Sequence, residues 1–403
     1  MNNSDYRQAV NTANYHNYRY FVLASPVIDD IEFDTLYFQI QEYERQHPSE
    51  VLPDSPTQRV GSDLHSDSYT IPHRTPMLST QKCNSSDAVL QWMQATSKRA
   101  AKVLHCSPDE VQYTVEWKYD GVSCSLVYQD GQLIEASTRG DHLRGLDILC
   151  HVRNIPSIPQ TLGLGTRNDS GEWVRGGSGV VGRVEVRGEI IMPFDAMPQV
   201  KSYNDPRTAA SAILRTLSET PYDSLLQFKP WQLIASDADY AQWFQKVNQS
   251  NITSLSVLYD NFGFDVEECD IADASDIEYF VNAYTDARKD NSFPTDGLVI
   301  KLENKLAWSA MGATEHHPKF CIAYKFAPLT AVTYCTAIEY TVGEKTCKVI
   351  PIAHFTPVQI NGKMYSKCSL GSEASMLRLG IHEGSCIEIA LRNDVNAQIN
   401  KVL

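Results

Sequence analysis

The sequence predicts an α+β protein of several domains: a small helical N-terminal segment, a mixed α/β middle and a C-terminal β-barrel. Three observations predict it. Apolar and aromatic side chains recur at helical spacing from Asp5 to His47. Capped helices alternate with β-favouring runs from Ser85 to Phe326. After Thr330, about seventy residues hold short strands divided by turns. A length of 403 residues allows two or three domains, and composition places the boundaries at residues 1–68, 69–328 and 329–403.

In the first segment Tyr15, Tyr18, Phe21 and Val22 stand three and four residues apart, Ser25-Pro26 breaks the run, and Asp29-Asp30 caps a second helix through Phe33, Leu36 and Ile40. Pro48, Pro53 and Pro56 mark an extended linker. Ser85-Ser86-Asp87 caps a helix to about Leu104, and Asp130-Gly131 between two apolar runs predicts a hairpin of Ser123–Tyr128 with Gln132–Thr138. Asp205-Pro206-Arg207 opens a helix, Gln227–Ile234 reads as a strand, and two apolar strands, Asp296–Lys301 and Ile322–Phe326, each carry a lysine. Short strands with turns at Asn361-Gly362-Lys363 and Ile381–Gly384 fit a small barrel of the oligonucleotide-binding type.

No apolar run approaches the ~18 residues of a membrane span, and Met1–Asp5 opens no signal peptide, so a cytoplasmic protein with no membrane partner is expected. Ten cysteines without a C-x-x-C pair read as free thiols and give no support for a zinc module. The net charge of −14 opposes indiscriminate polyanion binding, yet it is uneven: −7 over residues 1–68, −8 over 69–329 and +1 over 330–403. A polyanion should therefore meet the C-terminal segment or local patches, and Lys98-Arg99 with Lys102 reads as a solvated helix face.

Chemistry concentrates at Lys118-Tyr119-Asp120-Gly121, where the β-favouring run Thr114–Trp117 delivers a lysine to a tight turn. A lysine amine attacks only when neutral, which takes desolvation or nearby cations; the four residues alone favour a surface lysine beside a turn. Thr138-Arg139-Gly140-Asp141 ends a strand whose pairing with neighbouring strands brings Arg139 toward Lys118. Gly177–Gly182 matches G-x-G-x-x-G, but the alternating run Arg183–Glu189 after it is a strand, not the helix a dinucleotide fingerprint needs; it reads as a flexible loop, with Glu189 ending the strand. Arg207 and Arg215, eight apart on one helix, suit phosphates, and equally solvent exposure or a structural ion pair, and Trp231 suits core better than a base-stacking platform.

Taken in order, these segments resemble the NAD-dependent DNA ligase family over nearly the whole chain. Pro53–Gly61, Pro76-Met77-Leu78-Ser79, Glu116 with Lys118–Gly121, Thr138–Asp141, Val186–Glu189, Asp296–Lys301 and Ala323–Phe326 follow in family order. The resemblance implies a nucleotidyltransferase middle domain, an oligonucleotide-binding (OB) barrel, and three steps. Lys118 takes AMP from NAD with loss of nicotinamide mononucleotide, AMP passes to the 5′-phosphate of nicked duplex DNA, and the 3′-hydroxyl displaces it. It further implies that Glu116, Lys301, Trp231 and Ser79 hold the adenylate with Arg139 at the ribose and phosphate, and that Lys325 lies at the AMP phosphate. Asp120, Glu189 and Asp296 lie near Mg²⁺ and the 3′-hydroxyl, Arg207 and Arg215 hold nick phosphates, and Tyr20, Asp30 and Asp34 hold the mononucleotide. A monomer without zinc is expected. An RNA- or ATP-using nucleotidyltransferase and an inactive nick-binding module are the alternatives.

The sequence departs from the family at several places. Phe21 and Phe33 stand where histidine and tyrosine are usual, Asp141-His142 replaces Asp-Gly, Thr208 and Lys319 replace asparagine and arginine, and Val342–Thr346 replaces Val-Gly-Arg-Thr-Gly. The zinc, helix-hairpin-helix and BRCT modules of longer relatives have no counterpart, which suits a compact viral or accessory form.

Overall fold

The protein is seen in a computed structural model that describes residues 1–17, 19, 27–28, 30–52, 55–57, 69–167, 173–180, 182–203, 205–235, 247, 249–342, 349–360, 363–392 and 396–403. It divides into two compact units, Met1–Phe326 and Ala327–Leu403.

The first unit opens with helices α1 (Asn3–Asn17) and α2 (Asp30–Gln46), which close on a small core of Tyr6, Val10, Ala13, Ile40 and Tyr43. The Tyr6 hydroxyl donates to Glu44 and accepts from the Leu52 amide, fixing the path out of α2. Next come β1 (Thr70–Pro72), β2 (Lys82–Cys83), α3 (Ser86–Leu104), β3 (Tyr113–Tyr119), β4 (Val122–Gln129), β5 (Gln132–Thr138) and β6 (Arg144–Leu146). They are followed by α4 (Leu149–Val152), β7 (Gly163–Arg167), β8 (Trp173–Gly179), β9 (Arg183–Ile191), α5 (Pro206–Leu214) and β10 (Gln227–Ala235). The unit ends with α6 (Asn251–Ser256), β11 (Asp270–Ala272), α7 (Ile277–Ala287), β12 (Thr295–Leu302), α8 (Leu306–Met311) and β13 (Cys321–Lys325).

Two sheets organise these elements. One runs β11-β3-β12-β13-β2, antiparallel except for the β13–β2 pair, and is backed by α3, α7 and α8 through Val89, Met93, Val281 and Trp308. The other runs β10-β9-β4-β5, antiparallel throughout, over a core that includes Val152 of α4 and Ile213 of α5. The chain crosses from the first sheet to the second at Asp120-Gly121. A Cβ on Gly121 would lie 2.2 Å from the Ile190 carbonyl oxygen, so close approach rather than an unusual φ demands glycine there.

Local signals are realised where the sequence places them. Ser85 accepts from the Ala88 amide and starts α3; Asp205 accepts from the Thr208 amide and starts α5. Asp130 (φ 49°) and Gly131 (φ 77°) make the β4–β5 hairpin turn. Lys98, Arg99 and Lys102 are exposed on α3.

Three readings change. Gly177–Gly179 are not loop but the end of β8, held by pairing with β7 in a two-stranded sheet that glycine-rich sequence hides. β9 runs two residues past Glu189 to Ile191, because Ile190 and Ile191 are fully buried and continue its pairing with β10. Arg139 and Lys118 line one cavity without their strands pairing, since β3 and β5 belong to different sheets. The linker positions Pro53-Asp54 and Gln58–Gly61, together with Tyr20, Phe21, residues 343–348 and Asn361-Gly362, lie outside the described residues.

The second unit holds β14 (Thr330–Val342), β15 (Val349–Ile360), β16 (Lys363–Ser369), α9 (Glu373–Leu379), β17 (Cys386–Arg392) and β18 (Asn396–Val402). Its antiparallel order is β16-β15-β14-β17-β18. The first part of β14 pairs with β17 and the second with β15, so one long strand serves both halves of the sheet around Phe355, Ile387 and Ile389. The nine described cysteines of the chain are free thiols. No helix among the described residues is long and apolar enough to cross a membrane.

Candidate active site

A cavity of ≈ 990 Å³ opens in the first unit, lined from both sheets and from α2. Strand alternation sets Glu116 and Lys118 of β3 on one face, and both reach the cavity. Opposite Lys118, the register of β12 slips between Thr295 and Gly297, a bulge that turns Asp296 inward. The Lys118 amine donates to both Asp296 oxygens, at 2.7 and 2.9 Å. Gly297 completes the bulge, because a Cβ there would meet the Tyr324 carbonyl oxygen at 1.9 Å. Burial pushes the Asp296 carboxyl up, but Lys118, Lys325 and Lys82 outweigh it, so the group sits below its ordinary range.

Deeper in, the Lys301 amine donates to Glu116 Oε2 at 2.5 Å and to the Trp231 carbonyl at 2.9 Å, and lies 5.7 Å from the centre of the Trp231 ring. Glu116 Oε1 accepts from the Asn251 amide nitrogen at 2.7 Å and from the Thr114 hydroxyl at 3.0 Å. Both carboxylate oxygens are thus committed. Trp231 sits where the β10–β9 register shifts beside Pro230, on the edge strand of its sheet. It is half-buried against the cavity, not in the core, since the bulge turns it out of the strand's inward face.

On the second sheet, Glu189 accepts from the Ser123 hydroxyl at 2.7 Å. Burial raises its pKa, and the nearby Arg207, Ser123, Lys118 and Arg139 offset only part of that. Arg207 lines the cavity and donates to Asp120 Oδ1 at 2.7 Å. Asp120 itself stands behind the lining, nearly fully buried, and Arg215, at the C-cap of α5, lies away from the cavity. The helix is only nine residues long, so the two arginines flank it at opposite ends. Ser79 and Arg139 are in the lining, with the Ser79 hydroxyl 3.2 Å from His142 Nε2.

From α2, Phe33 and Asp34 complete the cavity. Asp34 accepts from Lys325 at 2.8 Å and from Lys82 at 3.5 Å; burial raises its pKa, and the two lysines more than reverse that. Tyr20 and the side chain of Asp30 lie outside the described residues. The structure therefore gathers Ser79, Glu116, Lys118, Arg139, Glu189, Arg207, Trp231, Asp296, Lys301, Lys325 and Asp34 around one space. It adds Ser123 and Lys82 to that lining and Asn251 behind Glu116, which sequence reasoning misses because nothing local distinguishes them. Among the described residues no cluster of three or more His, Cys, Asp or Glu side chains is arranged to hold a metal.

The electrostatic contrast is strong. The lining carries Lys82, Lys118, Arg139, Arg187, Arg207, Lys301 and Lys325 against Asp34, Glu116, Glu189 and Asp296, in a chain of net charge −14. Such a space suits an anionic ligand with an aromatic or heterocyclic part, the cations taking its charge and Trp231 its ring.

Comparison with known proteins agrees with this chemistry. A family model described as "NAD-dependent DNA ligase adenylation domain" matches residues 65–329, and one described as "DNA ligase-like, N-terminal NAD+-binding domain" matches residues 2–61. Relatives named "DNA ligase" include those of Acidobacterium capsulatum (31% identical), Chlorobium phaeovibrioides (32%) and Cellvibrio japonicus (32%). The alignments cover 96% of this chain and 56, 56 and 55% of those relatives, so the chain spans about half the length of the proteins it matches. With the cavity's lysine, acids and arginines in place, the adenylation-domain match over two thirds of its residues shows that the chain belongs to the NAD-dependent DNA ligase family.

Proposed function

We propose that this chain seals nicks in duplex DNA using NAD, through a covalent AMP adduct on Lys118. The observation that carries the reading is the Lys118 amine, held against Asp296 inside a cationic cavity large enough for a nucleotide. Attack requires the free amine, so one proton must leave it before the N–P bond forms and nicotinamide mononucleotide departs. Arg139 and Lys325 take the charge of the transferring phosphoryl group, and Glu116, Lys301 and Trp231 hold the adenine. Asp34 and Phe33 line the end of the cavity assigned to the mononucleotide, with Tyr20 and Asp30 assigned there from sequence.

Glu189 and Asp296 are hard oxygen donors of the type Mg²⁺ takes from proteins, usually one or two carboxylates with phosphates and water completing its shell. When bound, the ion would offset phosphate charge. Asp120 acts through Arg207, which with Arg215 is assigned to the DNA backbone. We assign residues 1–68, 69–328 and 329–403 to mononucleotide-recognition, nucleotidyltransferase and OB-barrel domains, the last supported by β14 serving both halves of its sheet. A cytoplasmic monomer acting without zinc completes the reading.

Incubation with NAD and Mg²⁺, followed by intact-mass measurement, should add one AMP to the wild type and none to Lys118→Ala. An unmodified wild type sinks the proposal; adduct formation from ATP alone, or sealing of RNA nicks alone, replaces it with a different nucleotidyltransferase.

A further inference from the structure

His142 occupies a backbone that side chains avoid. Its φ is 78°, in the left-handed region, where glycine would rest without steric cost. Strain of this kind persists only where the surroundings hold it, and it collects at functional sites. The residue is nearly fully buried, 5% exposed, so its imidazole is not there for solubility. Its amide donates to the Arg139 carbonyl at 3.1 Å, and its carbonyl accepts from the Met77 amide at 3.0 Å. Its Nε2 lies 3.2 Å from the Ser79 hydroxyl.

These contacts converge on one wall of the cavity, residues 75–79. Arg187 donates to the Thr75 carbonyl at 2.5 Å and the Pro76 carbonyl at 3.1 Å, and His317 Nδ1 lies 3.0 Å from the Ser79 carbonyl. The backbone of the wall is thereby fixed at several points, while its hydroxyl at Ser79 is met by His142. Burial lowers the His142 pKa to about 4; Arg139, His316 and His317 push the same way, and Asp141 opposes them. The ring is therefore neutral at physiological pH, with one nitrogen a donor and the other an acceptor.

We infer that His142 is a positioning residue for nucleotide binding: its ring occupies one hydrogen-bonding direction of the Ser79 hydroxyl and so fixes which direction that hydroxyl offers to a nucleotide in the cavity. The left-handed backbone brings the ring there. This deepens the NAD reading and rests on it for the identity of the ligand.

AMP binding to the full chain, measured by calorimetry, tests the inference without requiring adenylyl transfer. His142→Gly, which relieves the backbone, should raise the AMP Kd about five-fold, the ~1 kcal/mol of one net hydrogen bond. His142→Gln, whose terminal amide reaches the position of Nε2, should stay within about two-fold of wild type. Ser79→Ala should match His142→Gly, and the double variant should be no weaker than either, because the two act as a unit. An unchanged Kd in His142→Gly, losses that multiply in the double variant, no rescue by glutamine, or a wild type that does not bind AMP overturns the inference. A wild type that binds AMP yet gains no AMP from NAD overturns the proposed function alone.

Discussion

The two units handle charge in opposite ways. Met1–Phe326 buries it: Glu116–Lys301, Arg187–Glu185 and Lys229 with Asp265 and Glu267 all place at least one charged group almost wholly out of solvent. Ala327–Leu403 keeps its described ion pairs, His354–Glu339 and Lys401–Glu388, toward the surface and fills its core with Phe355, Ile387, Ile389 and their neighbours. Buried pairs seldom stabilise a fold better than apolar side chains would, because desolvation consumes most of the Coulombic gain. Two of these pairs, Glu116–Lys301 and Arg187–Glu185, put a side chain into the cavity lining, and chemistry rather than stability accounts for keeping charge there.

The largest expected effect comes from splitting the deepest pair at the site. Glu116→Ala leaves Lys301 buried without its carboxylate and should lower unfolding stability by about 3 kcal/mol, read from urea midpoints. Glu116→Met combined with Lys301→Met should recover most of that while still failing to form the AMP adduct. Full adduct formation in the double variant would show that the pair is structural only.

A smaller effect separates the paired lysines from Lys305, which donates to the Leu233 carbonyl at 3.1 Å and the Ser254 hydroxyl at 2.8 Å. Burial, then the charge of Lys301, lowers its pKa from 10.5 to about 8. Between those values the unfolded chain keeps a proton that the folded chain has released, so stability from this residue rises with pH through that window. Lys305→Met should remove that rise when denaturation midpoints are compared at pH 8 and pH 10. Parallel curves for the two proteins would refute it.

The smallest effect belongs to the second unit. Glu339 is 61% exposed beside His354, and Glu339→Gln should change stability by no more than ~0.5 kcal/mol. A loss several times larger would erase the contrast between the units.

Features with local causes were legible in the sequence. Ser85 and Asp205 as caps, and Asp130-Gly131 as a turn, act on amides or dihedrals within a few residues, so spacing alone reveals them. Glu116 and Lys301 are 185 residues apart, and only the ordered resemblance to a family placed them together. Asn251, Ser123 and Lys82 acquire their roles through contacts with residues far away in the chain, which residue type does not encode. Trp231 misled for the same reason: its composition suits a core, and a slip of one residue in β10 turns it to the cavity. For Arg215 the spacing gave the element but not its end: helical periodicity says which face a residue shares, not that the helix stops there.

The crossing at Gly121 has a hereditary consequence. Its missing side chain is the space taken by the Ile190 carbonyl, a backbone atom that no compensating substitution at residue 190 removes. Drift can exchange many residues around Lys118 by repacking their neighbours, but position 121 offers no such route. The smallest residue beside the proposed nucleophile is therefore, like Gly297 across from it, one whose identity the chain cannot renegotiate by repacking side chains.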